Sequence, residues 1–132
     1  MSNRVFIDTS FVVAVTNPRD QNHEKAFRLA RDYVRRPVLI TDAVLLEVGN
    51  MLARSHKQEA ARAINRFLSA PEVDVIRLNE DLFGRALAFY TQHLDKAWGL
   101  VDCISFIVMR EADVRQALAF DQHFAQAGFE LL

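Results

Sequence analysis

Four acidic residues stand where an α/β chain should least tolerate them. Asp8 follows Val5-Phe6-Ile7, Glu47 lies inside Val44-Leu45-Leu46-Glu47-Val48, Asp102 inside Leu100-Val101-Asp102-Cys103-Ile104, and Asp121 closes Ala117-Leu118-Ala119-Phe120. An ionised carboxylate in apolar surroundings is costly unless it is paired or metal-bound. Four in one chain ask for a common cause, and a divalent cation supplies one. In a shared pocket the carboxylates would repel one another and raise some of their pKa values until a cation neutralised them. Mg²⁺ and Mn²⁺ take oxygen ligands, and Mg²⁺ keeps several waters, so a few carboxylates suffice without a His or Cys cluster. A cation so held can polarise a phosphodiester, lower the pKa of an attacking water and steady the leaving oxygen. Phosphoryl chemistry is therefore the expectation.

Each acid also has a plainer reading. Asp8 can begin a turn, and Asp121 can cap a helix over residues 122–127. Glu47 and Asp102 are harder to explain as turn, cap or solvated face, because both flanks of each are apolar. They carry the most weight. Asp102 lies in the first turn of a helix after Gly99, where the helix dipole should lower its pKa and keep it ionised.

The elements that must position these residues alternate along the chain. Short β-rich runs at 4–7, 38–41, 73–76, 116–120 and 129–131 read as strands. Helical patterns cover 10–15, 22–35, 42–53, 58–68, 80–94 and 100–112, and a short helix starts near 122. In the 22–35 segment the apolar positions Ala26, Leu29, Ala30, Tyr33 and Val34 recur at three and four, and Pro37 ends the pattern. Strands separated by helices imply crossover connections, hence a mostly parallel sheet covered on both faces. Asp8 and Asp121 then each fall on the first residue after a strand, at the carboxyl edge where open α/β sheets form their ligand crevice. Glu47, about one and a half turns into the helix after the second strand, can lean into the same crevice.

The remaining polar and aromatic residues have quieter readings. Cys103 is the chain's only cysteine and reads as a small core residue, not a nucleophile. His23, His56, His93 and His123 lack the spacing of a zinc site. The ten Phe residues belong to the core, with Phe11, Phe27, Phe67, Phe83, Phe89 and Phe106 on helical stripes. Trp98 differs from these, since a large ring in a loop beside Asp102 is a candidate contact for substrate or partner. Asp113 fits the turn between a helix and a strand. Lys25, Arg28, Arg31 and Arg35, with Arg36 beside them, share a helix face that reads first as a solvated surface and second as a phosphate contact. Arg54, Lys57, Arg62 and Arg66 carry the same ambiguity.

Composition narrows the class. At 132 residues the chain has the size of one domain, expected to span 1–132 without an internal boundary. With 51% hydrophobic residues, 25% charged, four Gly and three Pro, it should fold without help. Sixteen basic against 17 acidic residues leave a net charge of −1, so any contact with nucleic acid must be local. A single cysteine suits a reducing compartment, and no run approaches the roughly 20 apolar residues of a membrane span. A cytoplasmic protein with no membrane partner is the expectation.

Taken in order, Asp8-Thr9-Ser10, Glu47 with Val48 and Asn50, Val101-Asp102-Cys103-Ile104-Ser105-Phe106, and Ala119-Phe120-Asp121-Gln122-His123-Phe124 followed by Gly128-Phe129 resemble PIN-domain proteins. The likeness spans essentially the whole chain and is greatest to VapC-like toxins of toxin–antitoxin pairs. It implies a three-layer α/β/α sandwich and a Mg²⁺-dependent ribonuclease, with Mn²⁺ as a substitute. Asp8, Glu47, Asp102 and Asp121 would bind the metal, with Asp8 central. Ser10 matches the small hydroxyl of the family's first motif, which orients that Asp or a water of the metal, and it could equally cap its helix. A homodimer and a cognate antitoxin are implied as partners beside the RNA. Asp121 is followed by Gln122 and His123 rather than another acid, which weakens the second metal position of some relatives and leaves the ion count open.

Two other classes compete, proteins of other chemistry that place an Asp at a strand end and a noncatalytic module. A phosphatase of the haloacid-dehalogenase kind uses an Asp at a strand end but needs a second Asp two residues on, where this chain has Ser10. A phosphoacceptor receiver domain needs paired acids at its first strand and a Lys near its last, which are absent. A noncatalytic module that keeps the fold should have lost a carboxylate, and all four are present.

Overall fold

The computed structural model of the chain describes residues 3–33 and 35–132. The elements run β1 (Val5–Ile7), α1 (Thr9–Thr16), α2 (His23–Asp32), β2 (Val38–Thr41), α3 (Asp42–Met51), α4 (Lys57–Ser69), β3 (Val73–Ile76), α5 (Glu80–Gln92), α6 (Leu100–Glu111), β4 (Gln116–Leu118), α7 (His123–Gln126) and β5 (Glu130–Leu131). The strands form one sheet in the order β3-β2-β1-β4-β5, and every pairing is parallel.

That order explains the layers. The chain steps from β1 to β2 to β3 in one direction, then jumps back across the sheet to β4 and on to β5. Crossovers between parallel strands are right-handed, so reversing direction moves the intervening helices to the opposite face. Helices α1 to α4 therefore pack together on one side, and α5 to α7 on the other. The result is the expected α/β/α sandwich. Its topological switch point lies between β1 and β4, where one chain leaves for each face and a crevice opens at the carboxyl ends.

Local chemistry fixes the element ends. Thr41 Oγ1 accepts from the Val44 N–H at 3.1 Å, and Asn79 Oδ1 accepts from the Leu82 N–H at 2.8 Å, capping α3 and α5. After α6, Asp113 adopts φ 53°, with its N–H on Arg110 O and the Val114 N–H on Met109 O. This is a Schellman ending, so Asp113 is turn chemistry as its sequence position suggested. Gly128, at φ 96°, ends α7 the same way: its N–H donates to Ala125 O and that of Phe129 to Phe124 O. Between the layers, Phe6, Leu39, Ile40, Val44, Phe106 and Phe124 are fully buried. Each such Phe or Leu contributes about 1.5–3 kcal/mol of burial.

The differences from expectation have local causes. Helix α2 ends at Asp32, not at 35, because the chain must turn toward β2 before Pro37: the Arg36 N–H closes a turn on Tyr33 O, and Arg36 Nε donates to Asn3 O. Val34, expected on the buried face of this helix, lies outside the described residues. Strand β4 stops at Leu118, the partner of the last β1 residue, Ile7. Beyond it, the Phe120 N–H turns to Ser10 Oγ at 3.0 Å, so Asp121 sits three residues past its strand rather than one. Phe27 and Phe83 are 53% and 44% exposed, so they are surface residues and not core. Their helices bury other sides, through Ala26 in α2 and through Leu82 and Ala86 in α5.

Candidate active site

Asp8 leaves β1 as the N-cap of α1 and is 4% exposed. Its Oδ2 accepts from the Ser10 N–H at 3.1 Å and from Ser10 Oγ at 2.6 Å. Ser10 Oγ also accepts from Phe120 N, so one hydroxyl orients Asp8 and ties the β4–α7 segment to the start of α1. The cap of α1 is Asp8 and not Ser10, so the reading of Ser10 as a helix cap does not hold; its hydroxyl instead bonds Asp8 and the Phe120 N–H. On the opposite face of the sheet, the α6 start brings Asp102, whose Oδ2 accepts from the Gly99 N–H at 3.0 Å. Asp102 therefore closes its own helix end, a capping role the sequence reading did not give it. Asp121 Oδ1 accepts from the His123 N–H at 2.9 Å, which is the cap-like role it was expected to share.

Electrostatics place these acids together. Burial pushes the Asp8 carboxyl up to about 6, opposed by its bonds from Ser10 and reinforced by the charge of Asp102. Asp102 is raised as well: burial outweighs the Gly99 N–H and the His123 ring, and the charge of Asp121 adds to it. The expected lowering of Asp102 by the helix dipole is thus overturned, because desolvation and a neighbouring carboxylate exceed the effect of one helix end. The charge of Asp102 acts on Asp8 and that of Asp121 on Asp102.

Glu47 joins from α3. It is half-buried, and its Oε1 accepts from Thr9 Oγ1 at 2.6 Å, which ties it to the residue next to Asp8. Apolar flanks did not signal its burial, since the adjacent Leu46 is 68% exposed.

Two contributors escaped the sequence reading. Thr9 has no motif of its own. His123 was dismissed because it lacks a second His at zinc spacing, yet its Nδ1 lies 2.9 Å from Asp102 Oδ2 and 3.1 Å from Asp121 Oδ1. Ligand atoms of Asp102, Asp121 and His123 all lie within 4.8 Å of one another, so this donor set can hold a metal ion. The hard oxygen donors of Asp102 and Asp121 in this set fit a divalent cation of the Mg²⁺ and Mn²⁺ kind, while Asp8 and Glu47 lie outside the group. Trp98, by contrast, is 7% exposed and donates from Nε1 to Gln126 Oε1 at 3.0 Å. It braces the approach to α6 against α7 and is not an open contact surface. Cys103 is buried, with its thiol pushed up to about 11 by desolvation and then by Asp102, as suits a core residue.

The profile of the PIN domain matches residues 5–130. The chain belongs to the PIN domain family. It is 35% identical over 126 residues to the 23S rRNA-specific endonuclease VapC20 of Mycobacterium tuberculosis, in the CDC 1551 / Oshkosh and H37Rv strains alike, with 95% of each chain covered. The crystal structure of that VapC20, described as a Sarcin-Ricin loop cleaving toxin, superposes with a TM-score of 0.85 at 33% identity, again over 95% of both chains. The crystal structure of FitAcB from Neisseria gonorrhoeae shares the fold, with a TM-score of 0.66, 12% identity and 97% of this chain covered. Among the described residues of this PIN domain, no helix is long and apolar enough to cross a membrane.

Proposed function

We propose that this PIN domain is a divalent-metal-dependent endoribonuclease that hydrolyses RNA phosphodiester bonds, acts as a toxin restrained by a cognate antitoxin, and works as one domain over residues 1–132. The observation that supports the reading is the convergence of ligand atoms of Asp102, Asp121 and His123 within 4.8 Å of one another, with Asp8 near enough for the charge of Asp102 to act on it. Asp8, Glu47, Asp102 and Asp121 would hold Mg²⁺, or Mn²⁺ in its place. The bound cation supplies Lewis-acid polarisation of the phosphodiester and activation of water. The chain's own part is positional. Ser10 fixes Asp8, Thr9 fixes Glu47, and the Gly99 N–H fixes Asp102. Together they hold the carboxylates before substrate arrives.

The similarity to VapC20 makes the sarcin–ricin loop of 23S rRNA the first substrate to try. Purified chain should cut that RNA with Mg²⁺ or Mn²⁺ and stop with EDTA, and Asp8→Asn and Asp102→Asn should each lower the rate by at least about a hundredfold. Cleavage that survives either substitution or chelation would sink the mechanism. Absence of cleavage of any RNA with either metal would favour a noncatalytic PIN module. Toxicity is a separate test: if induced expression leaves growth unchanged while RNA is cut in vitro, the enzyme stands and the toxin falls.

A homodimer is part of the same proposal. Phe83, Leu87, Tyr90 and Leu94 form an exposed apolar stripe at four, three and four residues along α5 and just past its end. A self-complementary contact with a second copy would cover it. Leu87→Glu should then shift sedimentation from dimer to monomer, and an unchanged monomeric wild type would remove the dimer.

A further inference from the structure

We propose that His123 is itself a ligand of the divalent cation, through Nδ1, and that this nitrogen biases the centre away from Mg²⁺ and toward first-row transition ions such as Mn²⁺ and Co²⁺. The inference rests on the metal-centre reading above and adds to it a residue of a different chemical kind.

The spacing is the first ground. In an octahedral site with bonds of about 2.1 Å, neighbouring ligand atoms lie about 3 Å apart. Nδ1 of His123 lies 2.9 Å from Asp102 Oδ2 and 3.1 Å from Asp121 Oδ1, and one ligand atom from each of the three residues lies within 4.8 Å of the others. These are the separations of donors that share one ion. They are also hydrogen-bond distances, so in the metal-free protein Nδ1–H donates to the carboxylates. A cation takes the place of that N–H: the neutral ring binds it through Nδ1 as the other tautomer, with its single proton moved to Nε2.

Rigidity is the second. The ring is three-quarters buried, and the His123 N–H already donates to Asp121 Oδ1, which sets the backbone of the residue against its co-ligand. The next residue, Phe124, is fully buried, with its ring 5.1 Å from that of Phe106 in a T-shaped contact and 6.0 Å from that of Phe6. Gln126, at the end of α7, is held by the Trp98 indole. Helix α7 is only one turn long, yet it is pinned at both ends. Little side-chain entropy is left to lose when an ion is bound.

Donor chemistry is the third. Carboxylates alone suit Mg²⁺, whereas imidazole raises affinity along the first-row series. A centre of carboxylates with one imidazole should still accept Mg²⁺ but favour Mn²⁺, and Co²⁺ more strongly.

The experiment uses the purified full chain with Mn²⁺ as a spectroscopic probe and Mg²⁺, Mn²⁺ and Co²⁺ as titrants. Pulsed electron paramagnetic resonance of wild type loaded with Mn²⁺ should show coupling to a histidine ¹⁴N, and His123→Ala and His123→Asn should each abolish it. By calorimetry, His123→Ala should lose about tenfold in Mn²⁺ affinity, more for Co²⁺, and under about threefold for Mg²⁺. His123→Asn, which offers an oxygen near the same place, should recover Mg²⁺ binding but not the preference. Bound Mn²⁺ without nitrogen coupling, or an unchanged metal preference in His123→Ala, would overturn the assignment and leave the ring a hydrogen-bond donor. If Mn²⁺ binding is lost in Asp8→Asn while wild type lacks nitrogen coupling, the metal centre stands and His123 falls. If wild type binds no Mn²⁺, both fall.

Discussion

The Thr9 hydroxyl donates to Oε1 of Glu47 at 2.6 Å, across 38 residues of sequence. Thr9 is 4% exposed and follows Asp8, so this bond binds α3 to the residue beside the central acid. Thr9→Val keeps the shape and removes the donor. It should cost about 1–2 kcal/mol in urea unfolding and lower single-turnover cleavage about tenfold with RNA affinity unchanged, whereas Thr9→Ser should restore the rate. A Thr9→Val protein that cleaves at full rate would show that Glu47 needs no tether.

Ser10 performs two tasks with one oxygen. It donates to Asp8 Oδ2 and accepts from Phe120 N, joining the acid after β1 to the segment that carries Asp121. Ser10→Ala therefore leaves a partly buried backbone N–H unpaired and frees the Asp8 carboxylate. The expected cost is about 1–3 kcal/mol in stability, with a fall in kcat larger than any rise in KM. Equal loss of both activity and folded fraction would reduce Ser10 to a structural role.

Much of this arrangement was legible in the chain. The alternation of strands and helices gave the parallel sheet, and the sheet gave Asp8 and Asp121 a common edge. What pattern could not carry was three-dimensional pairing. Nothing in Asp8-Thr9-Ser10 says that Thr9 will meet Glu47, because the bond depends on how α1 packs against α3. His123 looked inert for the same reason: its partners are carboxylates from two chain segments, and only the fold sets Asp102 beside Asp121. Asp102 misled in the opposite direction. A helix start lowers a pKa most where the carboxylate stays wet, and this one is largely withdrawn from water next to another acid.

Lys25 is the residue expected to offer RNA a local handle in a molecule of nearly neutral net charge. Its Nζ lies 5.8 Å from the centroid of the Phe120 ring, next in sequence to Asp121, so the basic face of α2 reaches the rim of the acidic crevice. Lys25→Ala should weaken RNA binding about equally for all sequences and lower the slope of log affinity against log salt by about 1. Folding should be unaffected, as the residue is exposed. An unchanged salt slope would place the phosphate contacts elsewhere.

The buried charge at Asp8 makes stability depend on pH in a definite direction. Its carboxyl is held near 6 in the folded chain against an ordinary value of 3.8, so folding favours the protonated form. The stabilisation is complete below the ordinary value and is lost as pH rises through about 6. Metal-free protein should accordingly lose up to about 3 kcal/mol from Asp8 as pH rises from below the ordinary 3.8 to above about 6, and Asp102, shifted the same way, adds to the loss. Asp8→Asn removes the titration while keeping an oxygen for Ser10 to donate to. Thermal melts in EDTA should show the variant gaining on wild type as pH is raised through about 6. Added Mg²⁺ should reverse the order at neutral pH, since the cation stabilises wild type by binding the ionised carboxylate and does much less for the Asp8→Asn variant. A difference between the two melting curves that stays flat across that pH range would mean that Asp8 keeps its charge in the folded protein without metal.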